Sequence, residues 1–234
     1  ASSQSGEAVH LEAVVELLAS AGLTPADHQT PPDFPLDEQE RDAWVRSGRA
    51  PDPLAMNCSG KHAAMLATCV LLGWPTTTYR AAEHPLQQAV RATIERLSAE
   101  TVGWTGVDGC GAPVMSLTVA GLARSMSSSV QAPAGAPERR VADAMAAHPE
   151  LVGGSRRDVT AFMRAVPGLV AKDGAEGVFV AALADGTGIA LKVEDGKVLW
   201  SQPVQRGCAF DPGDAPLVGL AEMAKGKAER SPWP

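Results

Sequence analysis

Residues 178–200 constrain the fold more than any other stretch. Three short runs rich in β-formers, 178–183, 189–193 and 197–200, are separated by Asp185-Gly186 and Asp195-Gly196. Asp-Gly between such runs is a hairpin turn, so the three runs form an antiparallel meander. The preceding chain reads as helices. Apolar spacing and stop signals predict them over 8–21, 36–47, 62–72, 85–98, 116–126 and 138–147, with another from Ser155, as N-cap, to just before Pro167. Residues 76–81 read as a short strand, and 127–137, rich in Ser, Ala, Gly and Pro, as a loop. Helices beside an antiparallel sheet give an α+β class rather than a doubly wound one.

Composition removes several functions. The net charge is −7 with no basic block, which argues against nucleic acid. No run approaches the roughly 18 consecutive apolar residues of a membrane span. Ala1 to Glu7 does not resemble a signal peptide, so the expected setting is the cytoplasm. The four cysteines, Cys58, Cys69, Cys110 and Cys208, include no C-x-x-C pair and do not read as a disulfide scaffold. Cys69 falls within an apolar helical run and reads as a small buried hydrophobe. Cys208 has no chemical company.

Candidate chemistry concentrates in three polar turns. Asn57-Cys58-Ser59-Gly60-Lys61-His62 opens the helix over 62–72, which is apolar nearly all round and therefore reads as buried. Unpaired N–H groups at a helix start, and an ammonium at Lys61, favour thiolate at Cys58. Asp108-Gly109-Cys110-Gly111 is the second turn, and residues 169–177, with Lys172 and Glu176, the third. Two cysteines distant in sequence and one nitrogen suit zinc, with Cys58 and Cys110 supplying sulfur and a deprotonated Lys61 the nitrogen. The competing reading makes both cysteines buried hydrophobes, and on residue type alone it is the commoner case. Ser3 or Ser5 in the opening turn pairs with a lysine if burial neutralises that amine, as the apolar flanks of Lys172 allow. A lysine that merely snorkels to the surface is the alternative. Asp108 either faces the site or accepts hydrogen bonds within its own turn. Glu176 is either a pocket carboxylate or a solvated turn residue. His62 adjoins the first turn and is placed to donate a hydrogen bond. His10, His28, His84 and His148 have no partner at metal-ligand spacing, and His84-Pro85 reads as a helix entry.

Asn57-Cys58-Ser59-Gly60-Lys61-His62-Ala63, Asp108-Gly109-Cys110-Gly111-Ala112-Pro113 and Ala171-Lys172-Asp173-Gly174-Ala175-Glu176-Gly177-Val178 together resemble, in order and spacing, three signature blocks of the Rhizobium-type L-asparaginases. These are also called asparaginase II or thermolabile asparaginases. Glu83-His84-Pro85-Leu86-Gln87 is similar to a fourth, weaker block, and Ser2-Ser3-Gln4-Ser5-Gly6-Glu7 to the opening turn, with Gln4 where histidine is usual. The resemblance covers about Ala1 to Gly196.

It implies an amidohydrolase that converts L-asparagine to aspartate and ammonia on a serine β-lactamase-like fold, as a homodimer. It also implies zinc held by Cys58, Lys61 and Cys110, a catalytic couple of Ser3 and Lys172, and substrate contacts from Ser59, His62, Asp108 and Glu176. Two departures stand beside it. The family's S-x-x-K, which holds the expected nucleophile, occurs nowhere in the sequence, so the chain is expected to lack an N-terminal segment. Beyond about residue 198 the text no longer resembles the family. This gives an expected domain over 1–198 and a divergent tail over 199–234. Rival expectations are a remnant that binds zinc without turnover, a serine–lysine hydrolase of another amide or a β-lactam, and a thiol enzyme using Cys58.

Overall fold

The computed structural model describes residues 3–194 and 197–204; the tail expected over 199–234 lies outside the described residues beyond Val204, as does Cys208. Helices α1 (Ala8–Ser20), α2 (Glu38–Arg46), α3 (Ser59–Leu72) and α4 (Pro85–Ser98) come first. A hairpin, β1 (Thr105–Val107) and β2 (Pro113–Met115), follows. Helices α5 (Val119–Val130), α6 (Pro137–Ala147), α7 (Pro149–Val152) and α8 (Asp158–Ala165) precede β3 (Val170–Asp173), β4 (Val178–Ala182), β5 (Gly188–Glu194) and β6 (Lys197–Val204). The last four strands form one antiparallel sheet in chain order. The class is α+β. Among the described residues no helix is long and apolar enough to cross a membrane.

The sheet sits between two helical layers. Along β4, Val180 packs with Ala123 of α5, whereas Ala181 packs with Val159 and Met163 of α8, as strand alternation requires. A separate core joins α1 and α3 through Val14, Leu18, Ala63, Leu66 and Cys69. Cys69 is fully enclosed there, as its apolar neighbourhood implied. Pro85 opens α4, and the His84 ring accepts the Leu86 N–H, so His84-Pro85 is indeed a helix entry.

The structure corrects the sequence reading at several elements. The meander has four strands, because residues 170–173, read as part of a turn, pair with β4. Residues 76–81 form no strand; Tyr79 turns into the helical core instead, with 0% exposure. Helix α5 starts at Val119, where the Thr118 hydroxyl caps the Gly121 N–H, and runs to Val130 through part of the expected loop. Its serines are tolerated because their hydroxyls bond to carbonyls: Ser127 to Gly186 and Ser129 to Ser125. Ser155 does not cap α8, which begins at Asp158; its N–H donates to Glu7 instead. Helix α3 is buried on one face only, since α1 and α4 cover one side of it, and Leu71 is 83% exposed.

The opening turn is fixed by Gly6. Its φ is +82°, and a Cβ there would stand 2.7 Å from Pro35 Cβ and 2.9 Å from Pro35 Cα. Replacing Gly6 by Ala imposes both left-handed strain and overpacking. It is expected to lower unfolding free energy by about 1–3 kcal/mol, measured by urea denaturation; an unchanged midpoint would show that the turn does not depend on this contact.

Candidate active site

Helix α3 carries its polar residues at its first turn. Cys58 is the N-cap, Ser59 the first helical residue, and Lys61 and His62 follow. The opening segment is stitched to this turn: the Gln4 N–H donates to Asn57 O at 3.1 Å, and Gln4 Nε2 to Ser59 Oγ at 3.2 Å. Gln4 is 1% exposed, so an amide stands in a buried polar position that histidine usually fills in the resembling family. Ser3, next to it, has φ +58°, a left-handed backbone that a non-glycine residue adopts only where its surroundings hold it.

The hairpin β1–β2 brings the second turn to the first. Cys58 Sγ, Cys110 Sγ and a carboxylate oxygen of Asp108 lie within 4.8 Å of one another. Lys61 Nζ reaches Asp108 Oδ2 at 3.2 Å, and Cys110 Sγ donates to the same oxygen at 3.4 Å. Cys58 and Cys110 are buried thiols, not joined in a disulfide. A hydrogen bond with Cys58 and burial push the Cys110 thiol well above its usual range. Two sulfurs, an oxygen and a nitrogen form a donor set that suits zinc. Asp108, read from sequence as a substrate contact, brings a carboxylate oxygen within 4.8 Å of both sulfurs.

Two lysines near this cluster are pushed in opposite directions. Burial pulls the Lys61 pKa down, but the combined pull of Cys58, Cys110 and Asp108 outweighs it, and Lys61 ends above the ordinary lysine value. At Lys172 burial wins and the pKa falls. Its amine donates to the Asp173 carbonyl and carboxylate, but Asp173 also takes Arg157, and that second cation repels the Lys172 charge. Burial raises the Asp173 carboxyl, yet these two donors hold it below the usual range. Cys58 adds a small opposing pull at Lys172, which ties the sheet edge electrostatically to the thiol cluster. No hydrogen bond joins Ser3 to Lys172 among the described residues.

The other expected residues are placed differently. Ser59 and His62 are both 0% exposed. His62 Nδ1 meets the Tyr79 hydroxyl at 2.6 Å, while its Nε2 has no hydrogen-bond partner among the described residues. Burial, helped by the Lys61 charge, lowers the His62 pKa to about 3, so this ring is neutral at physiological pH. Glu176 is exposed on a turn with φ +56°, and among the described residues its side chain makes no hydrogen bond or ion pair. Tyr79 was not singled out from sequence. Only its position inside the misread strand 76–81 marked it, and no spacing rule would have found it.

Residues 1–207 match the protein-family profile of L-asparaginase II. No curated protein matches the chain. Because that profile covers most of the 234 residues, the chain belongs to the L-asparaginase II family of asparaginase-type amidohydrolases.

Proposed function

We propose that the chain hydrolyses the side-chain amide of L-asparagine by a serine–lysine mechanism at a zinc-assisted substrate site, on a serine β-lactamase-like fold. The observation that carries this reading is the convergence of Cys58, Asp108 and Cys110 within 4.8 Å, with Lys61 on Asp108. Cys58, Cys110 and Lys61 would hold the ion, with Asp108 in reach. When bound, zinc would act as a Lewis acid that orients the substrate. In the cytoplasm, and as the expected homodimer, the protein would meet asparagine as a free amino acid.

The chain's own residues supply the proton chemistry. A neutral lysine amine accepts the proton of a serine hydroxyl as that oxygen adds to the carboxamide carbon. The tetrahedral adduct collapses, the C–N bond breaks, and ammonia leaves with the returned proton. Water then attacks the acyl ester by the same proton path, releasing aspartate and the serine. Ser3 and Lys172 would relay these protons, though the Lys172 amine bonds Asp173 rather than Ser3 in this structure. Lys172 is suited to this because its surroundings favour the uncharged amine more than water does. The S-x-x-K serine that the resemblance implies as attacking oxygen is not in the sequence. The Lys172 amine, turned to Asp173, supports a second reading: a protein that binds zinc without turnover. Ammonia release from asparagine, with and without added zinc, separates the two; no release from folded protein overturns the asparagine-hydrolase reading.

The metal site is tested by paired cysteine changes. Cys110→Ser is expected to weaken zinc by more than the roughly 10–100-fold that loss of an outer-shell partner costs. Cys69→Ser is expected to leave zinc binding unchanged while lowering stability, because Cys69 lies in the α1–α3 core. Competition with a zinc chelator reads both; equal affinities would retire the site.

Lys172 predicts the pH profile. The working form is deprotonated, so the rate should climb with pH and level off once the amine is neutral. Since the folded pKa is lowered, this rise should fall below the ordinary lysine range. Lys172→Arg is expected to abolish the rise together with most activity. A profile unchanged by that substitution would exclude Lys172 as the base.

A further inference from the structure

Among the described residues, Arg80 is a cation without a counter-ion, set against a turn of the candidate site. Its side chain is partly buried, and among the described residues it makes no hydrogen bond or ion pair. Other cations at the candidate site and elsewhere in the fold are engaged. Lys61 holds Asp108, Lys172 and Arg157 share Asp173, and Arg156 holds Asp37 and Glu40. A partly buried guanidinium left unpaired in this way is an open carboxylate receptor, because its planar fork matches two carboxylate oxygens.

The position of Arg80 is set by the residue before it. Tyr79 is fully buried, its hydroxyl meets His62 Nδ1 at 2.6 Å, and its carbonyl accepts from Gln87 Nε2 at 2.8 Å. From this clamped backbone the guanidinium comes down on Gly111, whose φ is +83°; a Cβ at that glycine would collide with Arg80 Nη1. Gly111 closes the turn that carries Asp108 and Cys110, its N–H donating to Asp108 O at 2.8 Å. The charge of Arg80 also reaches His62 on α3. Arg80 therefore stands against both turns of the candidate site, and glycine at 111 is what lets it approach.

We propose that Arg80 binds the α-carboxylate of the amino-acid substrate and so restricts the site to asparagine with a free carboxyl group. This rests on the asparaginase reading and adds the group that sets its specificity. Asparagine inside a peptide, or C-amidated, presents no anion there and is disfavoured.

The test compares L-asparagine with L-asparaginamide on the full chain, wild type and Arg80→Gln. Side-chain hydrolysis of the amide is scored by the isoasparagine formed, and binding of each ligand is measured by calorimetry. Wild type is expected to favour asparagine by about ten- to hundredfold, the range of charge-assisted hydrogen bonds. Arg80→Gln should lose that factor on asparagine alone and keep its behaviour toward asparaginamide. Its Tm should be unchanged, since Arg80 makes no hydrogen bond or ion pair among the described residues. Arg80→Lys should recover part of the preference through charge without the fork. Equal losses on both ligands, a preference that survives Arg80→Gln, or wild type that does not favour asparagine would each overturn the proposal. Carboxylate-dependent binding without turnover would overturn the hydrolase reading and uphold this one.

Discussion

Helix α3 presents a cysteine, a lysine and a histidine at its first turn only because its next turns are anchored. Ala63, Leu66 and Cys69 are fully buried against α1, and burying one leucine side chain is worth about 1.5–3 kcal/mol. With the helix axis held, the N-terminal turn has nowhere to drift. The opening segment then attaches to it through Gln4, and the β1–β2 turn through the Lys61–Asp108 pair. The site is therefore assembled from loops but located by a helix, which suits chemistry that needs donors held in fixed relation.

The electrostatics follow from how anions are shared. Lys61 faces two sulfurs and a carboxylate and gains more from them than burial takes away. Lys172 has one carboxylate neighbour, and that neighbour is divided with Arg157. Comparable burial thus leaves one lysine firmly charged and the other eased toward the neutral amine. Two like groups are thus driven in opposite directions by their surroundings alone. Neither shift follows from residue type; both depend on which anions surround each lysine and on whether another cation shares them.

Much of the helical framework was legible because its signals are local. Pro85 and the apolar face after it define α4 to the residue, and Asp185-Gly186 marks its hairpin. The missed strand β3 carries Lys172 itself. A lysine and an aspartate at 172–173, next to glycine, give a turn composition, and only pairing with Val180 and Phe179 makes the segment extended. Tyr79 was missed for a similar reason: three threonines and an aromatic suggest a strand, whereas the ring is claimed by a histidine on another element. The cysteine convergence was suggested by residue type and family resemblance, but its geometry depends on a hairpin of three-residue strands that no periodicity reveals. Long-range pairing decides these cases, and it leaves little trace in a local window.

Asp108 shows why the two sequence readings of that residue were not rivals. Its Oδ1 accepts the Gly109 N–H at 2.8 Å, and its backbone groups close the turn with Gly111 and Ala112. That is the ordinary self-capping behaviour of Asp-Gly. Its other oxygen, Oδ2, is thereby held in a fixed direction and meets Lys61 and Cys110. A carboxylate has lone pairs enough for both tasks. The turn supplies the rigidity, the second oxygen supplies the charge, and a lowered pKa follows even though burial alone would raise it. Replacing this aspartate with a residue that can only build the turn would keep the hairpin and leave the Lys61 ammonium and the thiols without the anion between them.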